Sequence, residues 1–400
     1  MLGRAIAKAH WRTGLRTPAR AGLSSAANAR PLRVLGIETS CDDTGAAVVT
    51  SQREILSEAI HLQHKLHEAH GGIVPIVALA SHSAHLPGVV RAALDQAGVK
   101  ATELDAIAVT RGPGIHSCLS VGMNAAKTLA AVLGKPLIGV NHMEGHALMA
   151  RFTEQTPPQF PFLCLLISGG HTLLLVAHDV NHYTQLGTTL DDAVGEAYDK
   201  VARMLEIPWL EGRGGGPGAA LELLARRGDP HRFALPVPMR HSTRVGGMDF
   251  SFAGLKTAVQ RELRRLPSDE AVKENQRADM AASFQYTVIA HLLDKLGRGF
   301  KWCRQNGIDA TSLVISGGVA SNQAIRASLS RLAENNGVPL VCPPAKLCTD
   351  NGVMIAWAGM ERLQRGLIDD YAIDIRIRWP LEELQAEWKT RSSQKATQDS

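Results

Sequence analysis

The chain has 400 residues, 45% of them hydrophobic and 20% charged. That is enough for two ordinary domains with cores of their own, and it excludes disorder, collagen and coiled coil. With 4% aromatic residues, a binding surface built mainly on stacked rings is not expected, and no apolar stretch reaches the ~18 residues of a membrane span.

The formal net charge is +5. It sits in residues 1–33, which hold Arg4, Lys8, Arg12, Arg16, Arg20, Arg30 and Arg33 and no acid before Glu38. The remaining chain carries a net −2. No global field therefore steers the body onto nucleic acid, and such a partner must be held by local patches. An Arg-rich, acid-free leader with Ser24 and Ser25 reads as a mitochondrial transit peptide. The six cysteines form no CxxC and read as reduced thiols rather than a disulfide framework.

Past the leader, strands and helices alternate. Val34–Glu38 is an apolar strand that ends in an acidic turn, Thr39 to Gly45, and Ala46–Val49 follows as the next strand. An extended segment at Ile55–Ile60 leads to a helix near Ala78–Ala97. Then come a strand at Ala106–Thr110, a Gly/Pro loop, a helix at Ser117–Leu133 and a strand at Leu137–Val140. The scheme begins again with Phe162–Ile167, the turn Ser168-Gly169-Gly170 and a strand at His171–Ala177. A helix at Asp192–Leu205, the glycine run Gly214–Gly218 and a basic, irregular stretch from Gly228 to Gly247 follow. Two helices are expected near Phe252–Leu266 and Asp279–Gln305. Ser312–Ile315, the turn Ser316-Gly317-Gly318 and a helix to Asn335 repeat the strand–turn–helix unit. A strand at Val338–Val341, a last helix near Asn351–Arg365 and a loose tail, 385–400, complete the chain. Two halves that each start strand–turn–strand predict an α/β protein with a duplicated core and a cleft between lobes.

Three features carry chemistry. Glycine turns at the ends of apolar strands let backbone N–H groups approach an anion, and three at corresponding places favour a phosphate or nucleotide. His142 and His146, if helical, share one face at the i, i+4 spacing of a divalent-metal pair, and Asp350, just before the last helix, is a candidate third ligand. The acid between them, Glu144, is not placed as in HExxH proteases. Asp192, Glu196 and Asp199 fall at helix spacing, which suits either a solvated face of paired charges or a carboxylate that binds a substrate hydroxyl. His61, His64, His67 and His70 read as a metal tract or as a solvated segment. The arginines 226, 227, 232, 240 and 244 are the best local candidates for RNA phosphates.

Together these motifs resemble one family. Gly36–Thr44, His142-x-x-x-His146, Ser168–Thr172, Asp192–Lys200, Phe250–Thr257, Ser316–Asn322 and Cys348–Gly352 are similar to the tRNA N6-threonylcarbamoyladenosine transferases, once called O-sialoglycoprotein endopeptidases or glycoproteases. The resemblance spans about residues 34–384, and the leader points to its mitochondrial branch. It implies a two-lobed actin-like ATPase fold: a transit peptide at 1–33, an N-terminal lobe at 34–150 onto which helix 351–365 packs back, a C-terminal lobe at 151–384 and a flexible tail.

By the same resemblance, His142, His146 and Asp350 hold one divalent cation, zinc or iron. Leu166, Ile167, Ser168, Gly169, Gly170, Asp199, Gly216 and Asn322 bind the donor, threonylcarbamoyl-AMP. The acceptor is N6 of the adenosine 3′-adjacent to the anticodon in mitochondrial tRNAs reading codons that begin with A. A synthase supplies the donor, the enzyme works in the mitochondrial matrix, and a homodimer is expected. The acid of the first turn, Asp42 or Asp43, is a candidate base, although turn chemistry explains both equally. The rival readings are a metalloprotease, a small-molecule kinase and an ATP-switched tRNA-binding subunit.

Overall fold

The computed structural model describes residues 30–68, 72–208, 210, 216–240, 247–265 and 274–388. Most of the leader, His70, Gly214, Gly215, Arg244 and the tail beyond 388 lie outside them.

The first half contains β1 (Arg33–Glu38), β2 (Thr44–Thr50), β3 (Ile55–His61), α1 (His64–Glu68), α2 (Pro75–Ala97), β4 (Ala106–Gly112), α3 (His116–Leu133), β5 (Leu137–Asn141) and α4 (His142–Thr153). β1, β2 and β3 form an antiparallel meander, and β4 and β5 add parallel beside β1, in the order β3-β2-β1-β4-β5.

The second half contains β6 (Phe162–Ile167), β7 (Thr172–Asp179), β8 (His182–Thr188), α5 (Val194–Met204), α6 (Pro217–Ala225), α7 (Ala253–Arg264), α8 (Glu274–Gln305), β9 (Leu313–Ser316), α9 (Gln323–Asn335), β10 (Leu340–Val341) and α10 (Gly352–Gln364). Its order, β10-β9-β6-β7-β8, repeats the first arrangement strand for strand, with β9 and β10 parallel to β6. The duplication that is faint in sequence is explicit in topology. The fold is the two-lobed actin-like ATPase fold.

β1 is apolar from Val34 to Ile37 because both its faces are covered. Leu35 and Ile37 pack with Leu86 of α2 and Met123 of α3. Val34, on the other face, packs with Val353 and Ala356 of α10. The last helix therefore does return to the first sheet. It lies so close that a Cβ on Gly36 would stand 2.3 Å from the backbone nitrogen of Ala356. Only glycine permits that approach.

Some boundaries differ from those expected. Arg30 and Arg33, counted with the leader, are already tied down: the Arg30 guanidinium is 2.8 Å from Asp105, and Arg33 opens β1. The chain after α10, expected in the second lobe, runs first along the first sheet, and Trp379, Leu381 and Leu384 then pack with Phe162 and Cys164 of β6. Asp369 N–H donates to the Leu137 carbonyl and Arg376 N–H to the Arg111 carbonyl. The tail is helical at 383–388, where Glu387 pairs with Arg111 at 2.8 Å. The segment's buried apolar residues, Leu367, Ile373, Trp379, Leu381 and Leu384, are scattered over different cores without helix or strand periodicity, so no local pattern announces the return.

Candidate active site at the metal-ligand cluster

β5 runs straight into α4, and the Asn141 side chain caps the helix by accepting from Met143 N–H at 2.9 Å. The first turn of α4 thus presents His142, and the next turn His146. Asp350 is set by the turn before α10, where the Asn351 side chain accepts from Met354 N–H at 2.9 Å. Although 204 residues separate them, His146 Nε2 and Asp350 Oδ1 are 3.1 Å apart. His142 Nε2 is 3.4 Å from the same oxygen. The three ligand atoms lie within 4.8 Å of one another, and among the described residues no other such group of His, Cys, Asp and Glu occurs. The histidine tract is accordingly not a metal cluster there: His61 stacks on His85, with ring centroids 3.6 Å apart, and His67 Nδ1 accepts from Val74 N–H.

The donor set fits a divalent cation. His142 Nδ1 lies 3.1 Å from Glu38 Oε2 and from Ser40 Oγ. An ionised carboxylate can only accept, so the Nδ1 proton points at Glu38, and Nε2, 3.4 Å from Asp350 Oδ1, would give up its own proton to bind a cation. His146 Nδ1 is buried without a hydrogen-bond partner among the described residues. Two carboxylates, Glu38 and Asp350, flank the histidines and favour positive charge there. Burial opposes a charged His142, yet Asp350 and Glu38 outweigh it and raise its pKa to about 10. Burial likewise pushes Asp350 up, but His142 and His146 hold it well below the usual carboxylate range. His171, with its ring centroid 6.2 Å from that of His142, is driven down to about 4 by desolvation and by the His142 charge. It stands as a neutral imidazole beside the cluster.

Glu38 is the residue sequence reasoning missed. An acid at the end of a buried strand reads as the first polar residue of a turn. Here it is 1% exposed and accepts from the Thr110 hydroxyl, the Ser40 N–H and His142. Glu144, between the two histidines, turns away from them. It pairs with Arg362 at 3.0 Å and accepts from Asn181 N–H at 2.8 Å and the Tyr183 hydroxyl at 3.1 Å. That commitment removes it as the base of a metalloprotease.

A cleft enclosing ≈ 630 Å³, its open mouth included, adjoins the cluster. Gly169, Asp199, Gly318, Asn322 and Thr349 line it. Thr349 precedes Asp350, so cleft and cluster are neighbours. The two Ser-Gly-Gly turns lie side by side. A Cβ on Gly317, whose φ is +95°, would stand 2.4 Å from the Ile167 carbonyl oxygen. Nothing stands within 4 Å of a Cβ built on Gly169 or Gly170, although Gly195 packs closely on the backbone of Gly169.

The other expected residues divide. The Leu166 and Ile167 side chains belong to the apolar cores on either face of β6, not to the cleft wall. The Ser168 hydroxyl accepts from His171 N–H at 3.1 Å and shapes the turn. Gly216 caps α6 with φ +107°, and two residues on, Gly218 N–H donates to Asp199 Oδ1 at 3.0 Å. Burial, the dominant influence, raises Asp199 to about 6. Asp192 and Glu196 are paired with Lys200 at 2.7 Å, so the acidic stripe is a face of paired charges except at Asp199. Asn322 lines the cleft, but its side chain is engaged: Oδ1 accepts from Ile325 N–H as a helix cap and Nδ2 donates to Gln285. Asp42 faces Asp350, and burial, then that charge, raises its pKa. Asp43 accepts from Gln63 N–H at 3.3 Å, a turn contact. In the basic stretch, Arg226 and Arg227 pair with Glu222 and Glu274.

Comparison with known proteins adds the chemistry. The sequence profile of the family "TsaD: tRNA N6-adenosine threonylcarbamoyltransferase" matches residues 54–357. The chain is 46% identical over 378 residues to an Arabidopsis thaliana protein named "Probable tRNA N6-adenosine threonylcarbamoyltransferase, mitochondrial", covering 90% of this chain and 77% of that one. It is 46% identical over 349 residues to the tRNA N6-adenosine threonylcarbamoyltransferase of Paramagnetospirillum magneticum, 87% and 97% of the two chains. Among solved structures, HypF from T. kodakarensis shares the fold at a TM-score of 0.54 and 15% identity, over 84% of this chain and 49% of that one. The chain belongs to the tRNA N6-adenosine threonylcarbamoyltransferase family, and its activity is that of a transferase.

Proposed function

We propose that this transferase moves a threonylcarbamoyl group from threonylcarbamoyl-AMP to N6 of the adenosine 3′-adjacent to the anticodon, in mitochondrial tRNAs reading codons that begin with A. The observation that carries this reading is the adjacency of a glycine-lined cleft and a His–His–Asp cluster: Thr349 lines the one and Asp350 belongs to the other. The adenylate occupies the cleft and its acyl end reaches the cluster. The setting is the matrix, a synthase delivers the donor, and the chain works as a homodimer. No helix among the described residues is long and apolar enough to cross a membrane.

The chemical difficulty is a weak nucleophile, because the N6 lone pair is delocalised into the adenine ring. His142, His146 and Asp350 would hold one zinc or iron ion, and imidazole with carboxylate suits both. Such an ion supplies Lewis-acid polarisation and a template for the donor's oxygens. Glu38 keeps the proton of His142 on Nδ1 and so keeps Nε2 free to bind. The backbone of Gly169 and Gly170 offers N–H groups to negative charge that develops during transfer. Asp42, lifted by burial and by Asp350, takes the N6 proton as the new N–C bond forms and the bond to AMP breaks.

Incubating the purified full chain with threonylcarbamoyl-AMP and unmodified tRNA tests the reading: threonylcarbamoyladenosine should form at that position, and its absence removes the proposal. Asp42→Asn should slow turnover by ~10²-fold or more while the KM for donor stays nearly constant. An unchanged kcat discards Asp42 as the base. Deleting residues 1–29, which spares the Arg30–Asp105 pair, should leave activity in vitro and abolish mitochondrial import. Normal import of the shortened chain would refute the leader reading.

A further inference from the structure

Two thiols meet beside the cluster. Cys342 follows β10, the edge strand of the second sheet, and Cys348 stands two residues before Asp350. Both are free, Cys342 partly exposed and Cys348 wholly buried. Their side chains are in hydrogen-bond contact with each other. The other cysteines, Cys41, Cys118, Cys164 and Cys303, are spread over the first turn, α3, β6 and α8.

One guanidinium fixes the pair in place. Arg326 of α9 donates from Nε to the Ala320 carbonyl, and from Nη2 to the Pro343 carbonyl at 3.1 Å and to Cys348 Sγ at 3.8 Å. Cys342 Sγ donates to the same Ala320 carbonyl at 3.6 Å, and Cys348 Sγ to the Pro343 carbonyl at 3.3 Å. The sulfurs therefore face each other across the loop 342–348. The next two residues are Thr349 of the cleft wall and Asp350 of the cluster. A reactive dithiol needs one sulfur that solvent reaches and a second in contact with it. Cys342 and Cys348 meet both conditions.

We infer that Cys342 and Cys348 are a site of reversible oxidation, closed to a disulfide by a peroxide, and that closing it displaces Asp350 and stops transfer. One sulfur attacks a peroxide oxygen: an S–O bond forms, the O–O bond breaks, and the released hydroxide leaves as water with the thiol proton. The other sulfur attacks the sulfenic sulfur: the S–S bond forms, the S–O bond breaks, and the second thiol proton leaves in a second water. Two thiols are oxidised, and one peroxide is reduced to two waters. A disulfide brings its sulfurs to ~2 Å. Cys348 then leaves the Pro343 carbonyl and the Arg326 guanidinium, and the turn through Thr349 to Asp350 moves with it. The effect on transfer rests on the role proposed for Asp350; the bond itself does not.

Treating the purified full chain with hydrogen peroxide, then alkylating it, tests the inference. Trypsin cuts after Arg331, Lys346 and Arg362, so the disulfide joins peptides 332–346 and 347–362 in a non-reducing mass spectrum. That species should appear on oxidation and vanish with dithiothreitol, while tRNA modification falls roughly tenfold or more and recovers in step. Cys342→Ser should keep the unoxidised rate and lose the response to peroxide. Absence of the joined peptides would overturn the inference. So would a joined chain that transfers at its full rate, or a Cys342→Ser variant that peroxide inactivates as strongly as the wild type. The joined peptides are read on the wild-type chain, so a poorly folding variant leaves that result intact. A chain that forms the bond but modifies no tRNA when reduced would remove the proposed function and uphold the oxidation site alone.

Discussion

Replacing His146 with alanine should leave a folded protein whose transfer rate has fallen by ~10³-fold or more, about 4 kcal/mol of transition-state stabilisation. The ring contributes little else. Its Nδ1 has no hydrogen-bond partner among the described residues, and its Nε2 points at Asp350 at 3.1 Å. Asp350 keeps His142 as a neighbour at 3.4 Å, so the variant strands no charge. Initial rates of tRNA modification, measured beside a thermal melt, separate the two effects. A variant within tenfold of the wild-type rate would remove His146 from the chemistry. A variant that does not fold would instead give the imidazole a packing role.

The reverse pattern is expected at Glu144, two residues from His142. Glu144→Ala should destabilise the fold by ~3–5 kcal/mol, because it takes from the buried guanidinium of Arg362 the carboxylate 3.0 Å away and leaves only the charge of Asp369 nearby. Both side chains are almost wholly enclosed, at 4% and 0% exposure. Of the contacts named for Arg362, only the Asn181 side-chain oxygen at 3.1 Å would remain. Asn181 N–H and the Tyr183 hydroxyl would lose their acceptor as well. These groups tie α4 to α10 and to the β7–β8 hairpin. Urea unfolding should show a lower midpoint, and the folded fraction at low temperature should still modify tRNA. Full stability with abolished activity would mean that Glu144 takes part in the reaction, as a hydrolase base would.

These two residues, inside one five-residue motif, mark how far the sequence could be read. The i, i+4 spacing of His142 and His146 was sufficient to put both imidazoles on one face once the segment is helical, and α4 is. Asp350 could be singled out only as an acid ahead of a helix or through family resemblance, since no local pattern links residues so far apart. The duplicated sheets bring it in. Glu38 escaped because its role is set by contacts from β4 and α4, neither of which is visible from β1. The Asn322 side chain illustrates the opposite error. An Asn immediately before a helix is a cap signature, and its side chain is used as one. Whatever Asn322 gives a ligand must therefore come from an already engaged group. The helix expected from Ala78 begins at Pro75, where a proline at the first helical position is favoured; the apolar periodicity alone started it too late.

Transfer is expected to need one divalent ion held by His142, His146 and Asp350. Elemental analysis of the purified full chain and of Asp350→Ala, paired with tRNA modification assays on the same samples, tests it most directly. About one equivalent of zinc or iron per wild-type chain is predicted, with the ion and the activity both lost from a folded Asp350→Ala variant. A chelated, ion-free wild-type chain that modifies tRNA at its full rate would contradict the account.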